Sequence, residues 1–173
     1  MLCELDEVVV IRNDIPLEQI QTRASWSALV LSPGPGLPDG AGSLMQVLGA
    51  YQNSLPILGV CLGHEAIALS RGGRLSPSPT IFHGRTSEVF HSNKGIFSGL
   101  PNPFRAVRYH SWQVDRKSLP ASLEITAWTE SGEIMGLQEK NNPNLSGVQF
   151  HPESALTEGG MDLLRNFFRL VTI

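Results

Sequence analysis

The segment Gly59-Val60-Cys61-Leu62-Gly63 has the residue types and spacing of a site for nucleophilic catalysis. It matches the G-x-S-x-G pattern of a nucleophile elbow, with Cys in place of Ser, and it separates an apolar run from a helical pattern. Such a turn presents the nucleophile at the carboxyl end of the sheet, and the helix N-terminus that follows favours a thiolate. We therefore predict that Cys61 is a nucleophile and that the N–H of Leu62 stabilises an oxyanion. The alternative is a small buried cysteine that fills a gap in the core.

A base for this nucleophile is available in the segment His151-Pro152-Glu153. Pro152 favours an extended conformation for the residue before it, and residues i and i+2 of an extended chain point the same way. Glu153 can therefore hold one ring nitrogen of His151 while the other nitrogen faces Cys61. The alternative is a histidine at a strand end beside a solvated glutamate.

A loop rich in glycine and proline, residues 32–38, is a third candidate part of the site. Prolines stiffen such a loop, and glycines let its backbone approach a ligand closely. The stretch Gly34-Pro35-Gly36 is therefore a candidate for oxyanion stabilisation together with Leu62. Taken alone, it is also what an ordinary connecting loop looks like.

Metal and cofactor sites are not predicted. Cys61 and His64 have C-x-x-H spacing, but no second paired ligand motif accompanies them. Trp26, Trp112 and Trp128 are interpreted as packing residues rather than as a ligand cage.

Alternating apolar and helical patterns predict the elements that position these segments. Apolar or β-branched runs predict strands over residues 7–12, 28–31 and 56–60, and helical spacing predicts helices that begin near 17 and span 43–51 and 64–70. The second half predicts strands over 88–90, 104–109, 123–128, 134–139 and 145–150, then an amphipathic helix over 161–170. Together they predict one α/β domain over residues 1–173, with an open, mostly parallel sheet, flanking helices and antiparallel additions.

The start of the sequence is unusual for such a fold. A doubly wound fold begins with a strand, whereas residues 1–5 look like the tail of a helix. We therefore expect the opening strand to be missing from this sequence. The alternative is a naturally short variant.

Composition excludes several classes of protein. The 173 residues are 41% hydrophobic and carry a net charge of −3, which favours a folded domain over a disordered chain and gives no electrostatic reason for nucleic-acid binding. No apolar run reaches the roughly 18 residues of a membrane helix, and the acidic N-terminus is not that of a signal or transit peptide. Two cysteines without a framework pattern predict a reducing, cytoplasmic environment.

The three segments together resemble the class I, triad-type glutamine amidotransferases. The match extends to the amidotransferase components of the chorismate-utilising anthranilate and aminodeoxychorismate synthases, and it does not separate these two. Besides the segments above, the stretches that carry it are 83–87, 108–112, 126–129, 133–136 and 147–154. The resemblance runs from about residue 7 to the C-terminus and implies a flavodoxin-like α/β fold.

The resemblance also implies a reaction and a set of residue roles. Cys61 attacks the side-chain amide of L-glutamine, ammonia leaves, and water hydrolyses the resulting thioester, with His151 as base and Glu153 as its orienting partner. The ammonia passes to a synthase subunit that uses chorismate. The residues implied to bind glutamine are Gly34, Pro35, Gly36, Leu62, Ser111 and Trp112, the last two through their backbone.

This sequence departs from the family at two places. The family's opening strand and the loop after it are absent. The residue after His64 is usually Gln and helps to bind glutamine, whereas here it is Glu65, which either faces the site or points to solvent. Two alternatives to a glutaminase subunit therefore remain open: a catalytically impaired subunit that keeps partner binding, and a stand-alone cysteine hydrolase of the same fold.

Overall fold

Strands and helices alternate in the first half of the chain, and strands dominate the second half. The computed structural model describes residues 1–171. Its strands are β1 (Leu29–Leu31), β2 (Ile57–Val60), β3 (Leu75–Pro77), β4 (Arg85–His91), β5 (Phe104–Arg108), β6 (Trp112–Val114), β7 (Leu123–Trp128), β8 (Ile134–Glu139) and β9 (Asn142–Val148). Its α-helices are α1 (Leu17–Arg23), α2 (Leu44–Tyr51), α3 (Leu62–Ser70) and α4 (Gly160–Val171).

Seven strands form the main sheet in the order β1-β2-β9-β8-β7-β4-β5, and β3 pairs with β6 in a small second sheet. The three strands β1, β2 and β9 run parallel to one another, whereas β9-β8-β7-β4-β5 is an antiparallel series. The predicted α/β fold, with a parallel part and antiparallel additions, is confirmed.

Strand β2 is the centre of the parallel part and lies next to the site. All four of its residues are buried, as expected for a continuous apolar run covered on both faces. Ile57 packs in a cluster with α2 and α3, whereas Leu58 and Val60 pack in a cluster with α4. The alternation places helices on both faces of the sheet, which fixes the carboxyl end of β2 firmly in place.

Most predicted elements are confirmed, with small shifts at their ends. Strands β7 and β8 have the predicted bounds, and the helix predicted over 64–70 begins two residues earlier, at Leu62. The strand predicted over 145–150 begins at Asn142 and ends at Val148. The helix predicted over 161–170 corresponds to α4, in which Leu164 and Phe167 are buried as expected.

The strand predicted over residues 7–12 is wrong. The segment forms no strand, and Val9 and Val10 are 55% and 88% exposed. Its β-branched residues favour extended backbone, but a strand also needs a ladder partner and a face to bury, and within residues 1–171 the segment pairs with no strand. Before it, Leu2–Glu4 form one 3-10 turn.

None of the helices within residues 1–171 is long and apolar enough to cross a membrane.

Candidate active site

Cys61 occupies the sharp turn between β2 and α3, as the sequence predicts. Its backbone has φ 52° and ψ −100°, which is a strained conformation for a residue with a Cβ. The strain is held by the Cys61 N–H, which donates to the Val148 carbonyl at 2.8 Å, and by the Cys61 carbonyl, which accepts from the Glu65 N–H at 3.0 Å. The turn therefore ties β2, β9 and α3 together at one point.

The two glycines of the motif are required by close packing rather than by unusual torsions. A Cβ at Gly59 would collide with the backbone of Gly63, and a Cβ at Gly63 would collide with the carbonyl of Leu31 on β1. Helix α3 can lie this close to the sheet only because both positions lack a side chain.

His151 and Glu153 form the predicted pair just beyond the end of β9. His151 Nδ1 lies 2.7 Å from Glu153 Oε1, and its other ring nitrogen, Nε2, is buried without a hydrogen-bond partner among the described residues. The ring of Tyr109 packs edge-on against the His151 ring, with centroids 5.1 Å apart. Partial burial raises the pKa of Glu153, but the hydrogen bond to His151, a backbone hydrogen bond and the charge of His151 together outweigh it, so the pKa lies below its ordinary value. Glu153 is therefore an anion that favours hydrogen on Nδ1 and leaves Nε2 as the acceptor.

The thiol of Cys61 is surrounded by groups that keep it protonated. Burial, followed by the charge of Glu65, raises the pKa of Cys61 to about 12, although hydrogen bonds from the Leu62 N–H and from Gln149 partly offset this. The expected thiolate-favouring effect of the α3 N-terminus is outweighed. A group that accepts the thiol proton is therefore needed for attack at neutral pH.

Glu65 faces this site and not the solvent. It is 3% exposed, and its Oε1 accepts a hydrogen bond of 3.1 Å from Gln149 Nε2. Burial raises the pKa of Glu65 to about 7, against the opposing effect of that hydrogen bond. The carboxyl therefore changes its protonation state near neutral pH.

Gln149 is a site residue that the sequence analysis missed. Its side chain is fully buried, and Nε2 lies 3.8 Å from Cys61 Sγ as well as close to Glu65. Its position two residues before His151, in the bend that follows the end of β9, is the signal that could have found it.

The other predicted binding residues lie around this centre. Gly34 packs so closely on Leu62 that a Cβ on Gly34 would lie 2.9 Å from the Leu62 side chain, while Pro35 and Gly36 are exposed beside it. Trp112 begins strand β6 of the small second sheet, where it pairs with Pro77, and Ser111 directly precedes that strand. The structure records no contact between either of them and Cys61. The charge of His151, however, contributes to lowering the pKa of His110, the residue before Ser111.

The remaining candidates do not assemble into a second site. His64 is fully buried beside the backbone of Gly147 and does not form a metal cluster with Cys61, since residues 1–171 contain no group of three His, Cys, Asp or Glu able to hold a metal. The indole N–H of Trp26 donates to the Ile20 carbonyl at 3.2 Å, and Trp128 lies half-buried in β7, as packing residues do.

Comparison of the sequence and the structure with known proteins identifies relatives of this chain. The family described as glutamine amidotransferase class-I matches residues 1–171. A solved protein of Thermoplasma acidophilum, described as a component of GMP synthase, superposes with a TM-score of 0.80 at 27% identity, and the match covers 94% of this chain and 79% of that one.

Three similar curated proteins show the names that such relatives carry. The chain is 47% identical over 162 residues to anthranilate synthase component 2 of Pyropia yezoensis, and the match covers 93% of this chain and 85% of that protein. It is 47% identical over 167 residues to aminodeoxychorismate synthase component 2 of Escherichia coli, with 95% and 88% covered. It is 49% identical over 168 residues to the bifunctional protein TrpGD of Thermotoga maritima, where the match covers 96% of this chain but 28% of the longer relative.

Proposed function

The chain belongs to the class I glutamine amidotransferases, and we propose that it is the glutaminase subunit of a chorismate-utilising synthase. In this role it hydrolyses L-glutamine at Cys61 and supplies ammonia to the synthase subunit. Relatives of about the same length that are named as component 2 of anthranilate synthase and of aminodeoxychorismate synthase support the role.

The observation that carries the proposal is the buried, unpartnered Nε2 of His151. Glu153 orients the His151 ring through a contact of 2.7 Å. His151 lies just after β9, the strand whose Val148 carbonyl accepts the hydrogen bond from the Cys61 N–H. A neutral imidazole with hydrogen on Nδ1 and a free Nε2 is the form that removes a proton from a thiol. A merely structural histidine of this kind leaves a buried acceptor unsatisfied, which is costly.

These positions support the following first half of the reaction. His151 Nε2 takes the Cys61 proton as the sulfur attacks the side-chain carbonyl carbon of glutamine. The N–H groups of Leu62 and of the loop at Gly34-Pro35-Gly36 stabilise the oxyanion. His151 then gives its proton to the leaving nitrogen, ammonia departs, and a glutamyl thioester remains on Cys61.

The second half regenerates the thiol. A water molecule gives a proton to His151 and attacks the thioester carbonyl, and glutamate leaves as Cys61 recovers its proton. Throughout, the backbone at Ser111 and Trp112 holds the α-amino and α-carboxylate groups, and Glu65 contacts the side of the substrate near the amide. When it is protonated, Glu65 can donate one hydrogen bond.

The proposal includes a partner and a compartment. The chain acts as a single amidotransferase domain over residues 1–173, in the cytoplasm, and binds the chorismate-utilising component I. It needs no cofactor, because thiol, imidazole and water supply every proton and electron pair in the reaction above.

The test is synthesis by the reconstituted complex with either glutamine or ammonium as nitrogen source. Cys61→Ser should lower glutamine-dependent synthesis by orders of magnitude and leave ammonium-dependent synthesis intact, because the second reaction belongs to the partner. Undiminished glutamine-dependent synthesis in Cys61→Ser would contradict the proposal. A wild-type complex that uses ammonium but never glutamine would favour the catalytically impaired subunit instead.

A further inference from the structure

A buried chain of hydrogen bonds leads from Glu133 to the Ser111-Trp112 backbone. The residue next to Glu133 in this chain of hydrogen bonds is Arg108, at the end of β5. The Arg108 side chain is 1% exposed. Arg108 Nη1 and Nη2 donate to the two carboxylate oxygens of Glu133 at 3.1 and 2.7 Å, and the guanidinium lies 3.4 Å from the centre of the Phe82 ring. The guanidinium is therefore fixed in one plane, with its Nε–H directed elsewhere.

His110 continues the chain to the main chain of Trp112. Arg108 Nε lies 3.0 Å from His110 Nε2, and His110 Nδ1 lies 2.7 Å from the Trp112 carbonyl oxygen. A guanidinium N–H can only donate and a carbonyl can only accept, so His110 must be neutral with its hydrogen on Nδ1. Burial and the charge of Arg108 lower the pKa of His110 to about 4, which agrees with this assignment.

The result is a segment whose carbonyl groups are all engaged. The carbonyl of His110 accepts from the Phe82 N–H at 3.0 Å, and that of Ser111 accepts from the Ser78 N–H at 2.8 Å. With Trp112 held by His110, the peptide planes of this turn have one orientation. Ser111 itself is exposed, and its N–H donates to none of the residues described. The Ser111 N–H is therefore free to bind an anionic group of a ligand.

We infer that Arg108 and His110 are positioning residues that set the backbone of Ser111 and Trp112 for the α-amino and α-carboxylate groups of glutamine. The inference rests on the proposed function, which places these groups at this turn. Neither side chain touches the reacting atoms. Their loss should therefore weaken the affinity for glutamine and its recognition as an amino acid, while the chemistry at Cys61 persists.

A general stabilising role is the competing explanation, and the chain offers a matched control for it. Arg71 and Glu139 form another largely buried ion pair, with side chains 14% and 15% exposed, which joins the end of α3 to β8. Removing the Arg71 interaction also breaks a largely buried ion pair, but it leaves the Ser111-Trp112 turn unchanged. The comparison of Arg108→Lys with Arg71→Lys therefore isolates the effect on the turn.

The experiment measures glutamine binding separately from turnover. The complex with the synthase partner is prepared in a Cys61→Ser background, and calorimetry gives the Kd of glutamine and of 4-aminobutanamide, which lacks the α-carboxylate. His110→Phe keeps the ring volume against Phe82 but loses both hydrogen bonds, so it serves beside Arg108→Lys if the latter folds poorly. We expect both to raise the Kd of glutamine by about tenfold or more and that of 4-aminobutanamide much less, because only glutamine has the α-carboxylate that the Ser111 N–H would bind.

A second reading in otherwise wild-type complexes separates positioning from damage. The KM of glutamine should rise with little change in kcat, and Cys61 should be alkylated by iodoacetamide at the wild-type rate. Unchanged glutamine affinity in His110→Phe would overturn the inference, as would an equal loss in Arg71→Lys. If the complexes show these differences in glutamine affinity but the wild-type complex never hydrolyses glutamine, the glutaminase role is refuted and the positioning role stands.

Discussion

The side-chain amide of Gln149 donates a hydrogen bond of 3.1 Å to the carboxyl group of Glu65, inside the pocket of the Cys61 thiol. Both residues are buried, and the same amide nitrogen lies 3.8 Å from the sulfur. The protonation of Glu65 is therefore coupled to that of Cys61.

Glu65→Gln should make Cys61 easier to ionise. Two charges about 6 Å apart at an effective dielectric of about 20 repel by roughly 3 kcal/mol, or about two pKa units. The variant should lower the apparent pKa for alkylation by iodoacetamide and also lower the KM of glutamine. Because Cys3 is exposed, the measurement needs a Cys3→Ser background. Superimposable pH profiles and equal KM values would show that Glu65 has no role in the site.

The stability of the chain should depend on pH through the same residue. Burial raises the pKa of Glu65 from 4.5 to about 7, so the folded state holds this proton more tightly than the unfolded state. The stabilisation is fully present below pH 4.5 and is lost as the pH rises through 7, by at most about 3 kcal/mol. Urea unfolding should therefore show wild type losing stability relative to Glu65→Gln over this window. The exposed Glu124→Gln is the control, and a constant difference for Glu65→Gln would be the contrary result.

Exchanging the two polar groups tests their coupling. Gln149→Glu alone places two carboxyl groups in one buried pocket, which should cost about 2 kcal/mol or more at pH 8. The double variant Glu65→Gln with Gln149→Glu restores one carboxyl and one amide and should recover most of that loss. Unfolding free energies of all four proteins complete the cycle. Additive effects would mean that the two side chains act independently.

Local packing predicts opposite effects for substitutions at two glycines, Gly63 in the elbow and Gly49 in α2. Gly63→Ala would force a Cβ into the Leu31 carbonyl and should destabilise the chain by roughly 1–3 kcal/mol or more. Gly49→Ala lies in α2 with open space around it and should stabilise the chain by about 0.5–1 kcal/mol. Thermal unfolding distinguishes the two, and equal melting temperatures would refute the packing account.

The parts of the site that depend on local chain geometry were predictable from the sequence. The elbow at Cys61 and the pairing of His151 with Glu153 each depend on a few neighbouring residues, although His151 and Glu153 meet within a turn and not in the extended stretch that Pro152 predicts. Gln149 stands two residues before His151 but lacks a chemical signature of its own. Its importance appears only when β9 lies beside β2 and brings it to Glu65.

Long-range contacts limited the rest of the prediction. Residues 7–12 have the composition of a strand, but composition does not reveal whether a ladder partner exists. Strands β3 and β6 were missed because each has three residues and one contains Pro77. The link from Glu133 through Arg108 to Trp112 joins two segments that are distant in the sequence, and no spacing in the sequence indicates the contact between Glu133 and Arg108.

Capture of the acyl intermediate by hydroxylamine tests the central claim most directly. A thioester on Cys61 must partition between water and the added nucleophile, so the complex turning over glutamine should form γ-glutamyl hydroxamate at the expense of glutamate. Cys61→Ser should form it slower by orders of magnitude. Glutamate release by the wild-type complex with no hydroxamate, or hydroxamate formed by Cys61→Ser at the wild-type rate, would contradict catalysis through Cys61.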